Sequence, residues 1–373
     1  MPSLTVIVLN YRKPDVTVRC LDSLAAVSYP APLDVLVLDN GSGDDSLAIL
    51  SMFAAEGRLP MRLLSSPANL GFAGGVNRVW PEARGEFVCL LNNDATVHAD
   101  CLARLAGTLG SRPDLGAVWP HDAPGEGSVG QRAPMPEELA NRRNGTMGIL
   151  GANIWLPLLR DYRECFVASG VCVMVRRSDH QLPFLDDYFA YFEDVYLGWS
   201  LRLRGLGSER VLEAVVYHSG METSRQDPVL SAALAFHAEK NRLANVFLLH
   251  EGRTLRRLFP LFVLDEVRRV LVAIARSLTG SSADRAIVTY ARGRLWLAWN
   301  WRWLLDRRRR IQAERSAPDR EILPLVSGRL TYAPGRAARA VNAVSLWYCR
   351  IAGLPVLEMR TPLATGADGS SSE

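Results

Sequence analysis

A carboxylate and an imidazole stand at two places where this chain leaves a short apolar run. Asp94 follows Leu90-Leu91-Asn92-Asn93, and His218 follows Val215-Val216-Tyr217. An acid and an imidazole brought to one edge of a sheet can hold a divalent cation. A cation there would neutralise a diphosphate and ease its departure as a leaving group. Taken singly, Asp94 in N-D-A-T also suits a turn or helix cap, and His218 an ordinary polar strand end. Glu193-Asp194 is a second signal, set in FAYFEDVYLGW where a helix is expected to start. One of these carboxylates can cap the helix N-terminus. The other can take a proton from a hydroxyl, general-base work that contributes about 10²- to 10⁴-fold in rate. The run Gly71-Phe72-Ala73-Gly74-Gly75 precedes a predicted helix, and its amides can approach a phosphate or a sugar. It is neither G-x-G-x-x-G nor a loop ending in G-K-[ST], so a dinucleotide or ATP site is unsupported. Glycines also serve tight turns without any ligand.

These residues need a frame, and the first half of the chain supplies one. Leu4–Leu9, Leu33–Leu38, Met61–Leu64 and Gly85–Leu91 read as short strands rich in apolar and β-branched residues. Helices are predicted between them at Asp15–Ala26, Ser46–Ala55 and Gly75–Arg84, and after them at Asp100–Leu109. This alternation predicts an α/β fold, a Rossmann-like, mostly parallel sheet with helices on both faces. Ligands of such sheets bind beyond the carboxyl ends of the strands. The residues to watch there are Asn10, Tyr11, Asp39, Asn40, Asn92, Asn93, Asp94 and His218.

Pro120–Arg143 loses apolar periodicity and reads as a surface excursion. Order returns in a strand at Cys165–Arg176, a helix at Asp194–Arg204 and a strand at Val211–Tyr217. Three helices are then expected at Pro228–His250, Leu255–Leu278 and Arg285–Ile311. Trp296, Trp299 and Trp303 share helical spacing, Trp301 lies off that face, and Asp306 is followed by Arg307-Arg308-Arg309-Arg310. Tryptophan favours a membrane–water boundary and arginine suits anionic headgroups, so peripheral membrane contact is one reading. A helix packed on the rest of the protein and a homo-oligomer interface are the others.

Composition narrows the class without naming it. The chain has 373 residues, formal charge +4 and six cysteines, with Lys13 and Lys240 its only lysines. That charge is too small to imply nucleic acid. The cysteines lack metal-type spacing and sit in apolar runs, as buried reduced thiols do. No signal peptide or membrane span is apparent, which predicts a cytoplasmic protein.

In order, VIVLNYRKPD, VLVLDNGSGDDS, NLGFAGGVNRV, LLNNDATV, YFEDVYLGWSLRLRG and YHSG resemble glycosyltransferase family 2, within its bacterial rhamnosyltransferase-like and galactofuranosyltransferase-like subgroup. The resemblance spans about Ser3–Arg225 and implies a GT-A fold and inverting, metal-dependent transfer, with Mg²⁺ or Mn²⁺ as cofactor. It implies that Asp39 meets the donor nucleobase, near Leu9, Asn10 and Tyr11, and that Asn69, Gly71, Gly75 and Asn77 line the donor pocket. Asn92-Asn93-Asp94 occupies the place of the D-x-D motif, with Asp94 the main metal ligand, His218 a second, and Asn92 and Asn93 beside them. Asp194 aligns with the general base, next to Glu193, and Trp199 would lie by the acceptor or the sugar. Tyr196 and Ser200 replace an Asp and an Arg usual in the family, and Arg202 or Arg204 is expected to meet the diphosphate instead.

The implied partners are a dTDP- or UDP-linked sugar, rhamnose or similar, and a glycan or polyprenyl-linked acceptor of cell-surface polysaccharide, met at the inner face of the plasma membrane. The expected organisation is a catalytic domain over 1–227, a C-terminal helical extension over 228–365 and a disordered tail over 366–373. A sugar-nucleotide pyrophosphorylase is the rival enzyme, but NYRKPD lacks its glycine-rich loop. A catalytically impaired relative or assembly subunit is the alternative that Ser200 favours and that Asp94, Asp194 and His218 oppose.

Overall fold

The computed structural model describes residues 1–125, 143–157, 166, 170–218, 228–278 and 284–359. Among the described residues ten strands form: β1 (Leu4–Asn10), β2 (Leu33–Asp39), β3 (Met61–Ser65), β4 (Phe87–Asn92), β5 (Ala95–Val97), β6 (Leu115–Pro124), β7 (Arg143–Met147), β8 (Asn153–Pro157), β9 (Cys172–Arg176) and β10 (Gly207–His218). Helices α1 (Pro14–Ala25), α2 (Ser46–Ala55), α3 (Gly71–Val79), α4 (Cys101–Ser111) and α5 (Glu193–Leu203) accompany them. The C-terminal part contributes α6 (Pro228–Leu249), α7 (Gly252–Leu278), α8 (Asp284–Trp299), α9 (Trp301–Ala313), α10 (Asp319–Ile322) and α11 (Arg336–Ile351).

Eight strands make one sheet in the order β3-β2-β1-β4-β9-β6-β10-β5, and β7–β8 is a separate hairpin. The β1, β2, β3 and β4 pairings are parallel, as is β6 with β10. The predicted mostly parallel α/β sheet is therefore found, with two reversals. Strand β9 runs antiparallel to both β4 and β6, and the short edge strand β5 antiparallel to β10. The carboxyl ends of β1, β2, β4, β6 and β10 thus share one edge, joined there by the amino end of β9.

Local chemistry explains where the boundaries differ from those read in the sequence. The strand expected at Val211–Tyr217 runs from Gly207 to His218. The irregular stretch expected from Pro120 begins later, since β6 continues through His121 and Asp122 to Pro124, and 126–142 lies outside the described residues. The glycine run does not precede its helix but forms its first turn, because α3 starts at Gly71. The single helix expected at Arg285–Ile311 is two, broken at Asn300. There the Asn300 Nδ2 donates to Trp296 O (2.8 Å), while the Leu304 amide donates to Asn300 O (3.0 Å). Asparagine competes in this way for backbone groups and ends helices.

Helices cover both faces. One buried cluster joins Val6, Val8, Val35 and Val37 to Cys20, Leu24, Leu105 and Leu109. The other runs from Ile7, Leu36 and Val175 through Trp199 and Leu201 to Leu248, Leu304 and Val356. The C-terminal helices therefore share a core with the sheet. The boundary expected at 227 and the tail over 366–373 lie outside the described residues. Cys20, Cys89, Cys101, Cys172 and Cys349 are buried free thiols, as their apolar settings predict. No described helix is long and apolar enough to cross a membrane.

Candidate active site

The pairing that brings Asp94 to His218 is the β5–β10 ladder. His218 stands opposite Ala95 in that register, so the preceding residue, Asp94, falls beside it. Their side chains meet at 3.2 Å between His218 Nε2 and Asp94 Oδ1, both largely shielded from solvent. The bond to Asp94 holds the His218 imidazole above its ordinary pKa, against the opposing effect of burial, and the charges of Asp94 and Asp122 add to it. Asp122 reaches this end because β6 runs on where the sequence predicted irregular chain. Among the described residues no cluster of three or more such ligands forms. Asp94 and His218 stand as a pair, one carboxylate and one imidazole, that would hold a divalent cation.

A chain of hydrogen bonds ties the neighbouring strand ends together. Asn93 Nδ2 donates to Thr17 Oγ1 (2.9 Å), which donates to Asn10 Oδ1 (2.7 Å). Asn10 Nδ2 in turn donates to Asp39 Oδ1 (2.9 Å), its register partner on β2, which also accepts from Ser42 Oγ. Asn10 is fully buried and spends its side chain on this network. Tyr11 lies at the half-exposed rim under the Arg12 guanidinium (5.1 Å to the ring centroid). Arg12 adopts a left-handed φ of 54° at the end of β1 and places a cation on this edge that the sequence reading gave no role.

The glycine run is shaped by close packing. Gly71 has φ +71°, and a Cβ there would lie 2.2 Å from Phe189 O. Asn69 Oδ1 accepts from the Gly71 amide (2.8 Å), and Asn40 Nδ2 donates to Gly71 O (3.0 Å). Gly75 lets Leu9 and Asn40 come close, at 2.8 and 3.2 Å from where a Cβ would be. Asn77 is a clip, donating to Phe184 O (3.0 Å) and Asp186 Oδ1 (3.3 Å). It thereby fixes the segment that leads to the carboxylate pair.

Glu193 and Asp194 form the first turn of α5, after Tyr191 and Phe192, which both have left-handed φ, 68° and 67°. Neither carboxylate is the cap residue, which is Phe192. Asp194 Oδ1 accepts from the Val195 amide (2.7 Å), and a Cβ on Gly170 would lie 3.6 Å from Asp194 Oδ2. Val171, next in the chain, accepts from the Asn92 amide (2.8 Å), so Asp194 stands beside the end of β4. Burial raises the pKa of both carboxyls, and the charge of Asp194 raises Glu193 further. Glu193 Oε2 is buried with no hydrogen-bond partner among the described residues, which suits the protonated form. Asp194 keeps part of its surface open and an amide donor, which suits the ionised form.

Two expected contacts are not brought to this edge. Trp199 is fully buried, edge-to-face with His250 (4.6 Å) and Phe166 (5.5 Å). Five residues from Asp194 is about 140° around a helix, so Trp199 points into the core and away from this edge. Arg202 reaches Ser208 at the start of β10, the opposite end from His218. Arg204 bonds the carbonyls of Asp179 and Ser200. Neither arginine is brought to the edge where Asp94 and His218 meet, and Ser200 Oγ bonds Leu197 O (2.9 Å) within its own helix.

Comparison with known proteins bears on the family and the fold. The Glycosyl transferase family 2 model matches residues 5–181. The N-acetylglucosaminyl-diphospho-decaprenol L-rhamnosyltransferase of Mycobacterium tuberculosis (strain CDC 1551 / Oshkosh) is 32% identical over 258 residues, which cover 63% of this chain and 81% of that protein. An N-acetylglucosaminyltransferase of Rhizobium sp. (strain N33) is 27% identical over 198 residues, covering 50% of this chain and 40% of its own. Among solved structures, GalNAc-T7 with UDP, GalNAc and Mn²⁺ superposes with TM-score 0.55 at 12% identity, over 69% of this chain and 50% of that one. That likeness bears on the fold alone, which is GT-A. On the strength of the family match and the mycobacterial relative, the chain belongs to glycosyltransferase family 2.

Proposed function

We propose that this glycosyltransferase is an inverting, metal-dependent enzyme that moves rhamnose or a similar sugar from a dTDP- or UDP-linked donor to a hydroxyl of a lipid-linked acceptor. The observation that carries this reading is the convergence of Asp94–His218 and Glu193–Asp194 on one sheet edge. Asp39, whose Oδ1 is taken by Asn10 and Ser42, would meet the nucleobase through its other oxygen. Asp94 and His218 would hold the cation, which supplies charge neutralisation at the diphosphate. The acceptor oxygen forms a bond to the anomeric carbon as the bond to the diphosphate breaks on the opposite face. Asp194 takes the acceptor proton, and the nucleoside diphosphate leaves with the electron pair. No covalent enzyme intermediate is required.

The test is a thermal-shift screen of nucleotide diphosphates and their sugars, with and without Mn²⁺ or Mg²⁺. A donor present at about 100 times its dissociation constant adds about 2.7 kcal/mol to the folded state. A metal-dependent shift with dTDP- or UDP-linked sugars is expected. A well-folded protein that responds to no nucleotide overturns the reading.

The lipid-linked acceptor rests on the name of the mycobacterial relative and on the surface of the C-terminal helices. On α7, Phe259, Val263, Val267, Leu271 and Ile274 are exposed at intervals of three to four residues, beside Arg253, Arg256 and Arg257. Trp299 and Trp301, at the break between α8 and α9, are 88% and 53% exposed. Trp296 and Trp303 instead pack against each other (5.6 Å). Exposed Trp and apolar side chains with arginines around them suit an anionic membrane surface. The protein is expected to float with vesicles containing phosphatidylglycerol, and a Trp299→Ala/Trp301→Ala/Leu271→Ser variant several-fold less. Equal flotation of both proteins removes these residues from membrane contact.

A further inference from the structure

Between the donor-side helix α3 and the carboxylate pair runs the segment 184–192, and nearly all of its carbonyls are occupied. Lys240 Nζ donates to Asp187 O (2.6 Å). Phe189 O accepts from the Ala73 amide of α3 (3.3 Å). Asn241 Nδ2 donates to Ala190 O (3.2 Å) and Tyr191 O (2.8 Å), and Asn245 Nδ2 to Phe192 O (2.9 Å). Asn245 is itself oriented, because its Oδ1 accepts from Tyr188 Oη (2.7 Å). Three side chains of α6 therefore bond four carbonyls within the six residues Asp187–Phe192, which lead directly into Glu193. Asn241 and Asn245, four apart, share one helix face, and Lys240 adjoins them. All three are buried.

We propose that Lys240, Asn241 and Asn245 are positioning residues, which hold the Asp194 carboxylate at the sheet edge by clamping the backbone that carries it. The inference rests on reading Asp194 as the general base. Two consecutive non-glycine residues, Tyr191 and Phe192, stand in the left-handed region. That conformation costs each of them about 1–2 kcal/mol. Without a holder, either residue would relax to negative φ and turn the peptide from which α5 begins, carrying Glu193 and Asp194 with it. The amides of Asn241 and Asn245 bond the carbonyls of these same two residues. Strain of this kind persists where surrounding contacts over-determine it, and it gathers at functional sites. At the other end of the segment, Phe189 packs on Gly71 and stacks on His237 of α6 (5.0 Å), so the same helix references the base to the donor-side helix.

The choice of lysine at 240 fits the role. Of 43 Lys and Arg residues only Lys13 and Lys240 are lysine. Lys240 Nζ lies 4.4 Å from the Trp296 ring centroid while bonding Asp187 O. The Lys240 ammonium thus meets a ring on one side and a carbonyl on the other, joining a cation–π contact to a charge-assisted hydrogen bond.

The experiment is a double-mutant cycle between Asn245→Ala and Asp194→Asn on the full chain, repeated with Asn241→Ala. Transfer is measured with dTDP-rhamnose or the sugar nucleotide that gives the metal-dependent thermal shift, and nucleotide affinity by calorimetry with UDP or dTDP and Mn²⁺. Asn245→Ala is expected to lower kcat about 10- to 100-fold, with nucleotide Kd within about twofold of wild type. It should also displace the acidic limb of the kcat–pH profile, since Asp194 then sits in a different environment. In the Asp194→Asn background the same substitution should cost almost nothing more, because the group it positions is already gone. A loss that is fully additive, or that tracks a rise in Kd or a fall in folded fraction, overturns the positioning role. Wild-type activity in Asp194→Asn alone would instead identify the base assignment as the failure. Lys240→Met gives a second measurement that removes the donor while keeping the length of the side chain, and wild-type kcat in that variant removes Lys240 from the clamp.

Discussion

Asp194→Asn is expected to lose transfer by about 10²-fold or more while binding nucleotide as wild type does, whereas Glu193→Gln should stay within about threefold. The two carboxyls are neighbours in one half-buried turn, yet their surroundings separate them. Burial disfavours ionisation of both, and two charges side by side disfavour it again. The pair therefore retains one proton more readily than isolated carboxyls do. Glu193 Oε2 is enclosed with no partner among the described residues, so neutrality is the lower-energy choice there. Asp194 holds the Val195 amide, which stabilises its charge, and faces the open edge by Gly170. The ionised member is the one that can accept a proton from an acceptor, and a neutral glutamine closely copies the other.

The pH dependence follows from the same shifts. Because the Asp194 pKa is raised, kcat should climb with pH along a limb above the ordinary carboxylate range. For stability, a glutamate whose folded pKa is raised binds a proton in the folded state that the unfolded chain has released. Its contribution is full below the ordinary value of about 4.3 and is lost as pH rises through the raised folded value. Glu193→Gln removes that loss, so its Tm relative to wild type should rise steadily as pH is taken upward from about 5. Thermal melts across that range check it. A Glu193→Gln protein as inactive as Asp194→Asn would exchange the two roles.

What the sequence made legible follows from burial. Strands β1, β2 and β4 are covered on both faces, so they read as continuous apolar runs, and the polar residues after them had to lie at one edge. The reach of β6 to Asp122 was hidden, because a strand through Trp119, Pro120 and His121 has neither alternation nor an apolar run. The family motif that carries Asp194 also suggested Trp199 and Arg202, which the structure places away from this edge. Proximity in sequence to Asp194 says little on a helix, where five residues reverse the face and eight advance the chain by about 12 Å. The α6 clamp left no motif a single sequence could declare. Its asparagines act on carbonyls of a segment some fifty positions earlier, and only the folded chain brings the two together.

Asp94→Ala should abolish the metal-dependent part of nucleotide binding and lower transfer by about 10²-fold or more, and it should leave the metal-independent part in place. The separation is built into the strand ends. The Asn93–Thr17–Asn10–Asp39 hydrogen-bond chain does not pass through Asp94, so the contacts offered to a nucleobase survive the substitution. What is lost is the carboxylate bonded to His218, and with it the interaction that holds the imidazole above its ordinary pKa. His218 alone offers one neutral nitrogen, a poor anchor for Mg²⁺ or Mn²⁺, which favour oxygen ligands. His218→Ala should therefore cost less than Asp94→Ala, since the charged ligand remains. Calorimetric titration of UDP and dTDP with and without Mn²⁺ separates the two parts. A Mn²⁺-dependent gain in affinity that persists in Asp94→Ala would take the cation away from this edge. Loss of all nucleotide binding, with or without metal, would make Asp94 a structural partner of His218 whose removal opens the β5–β10 edge.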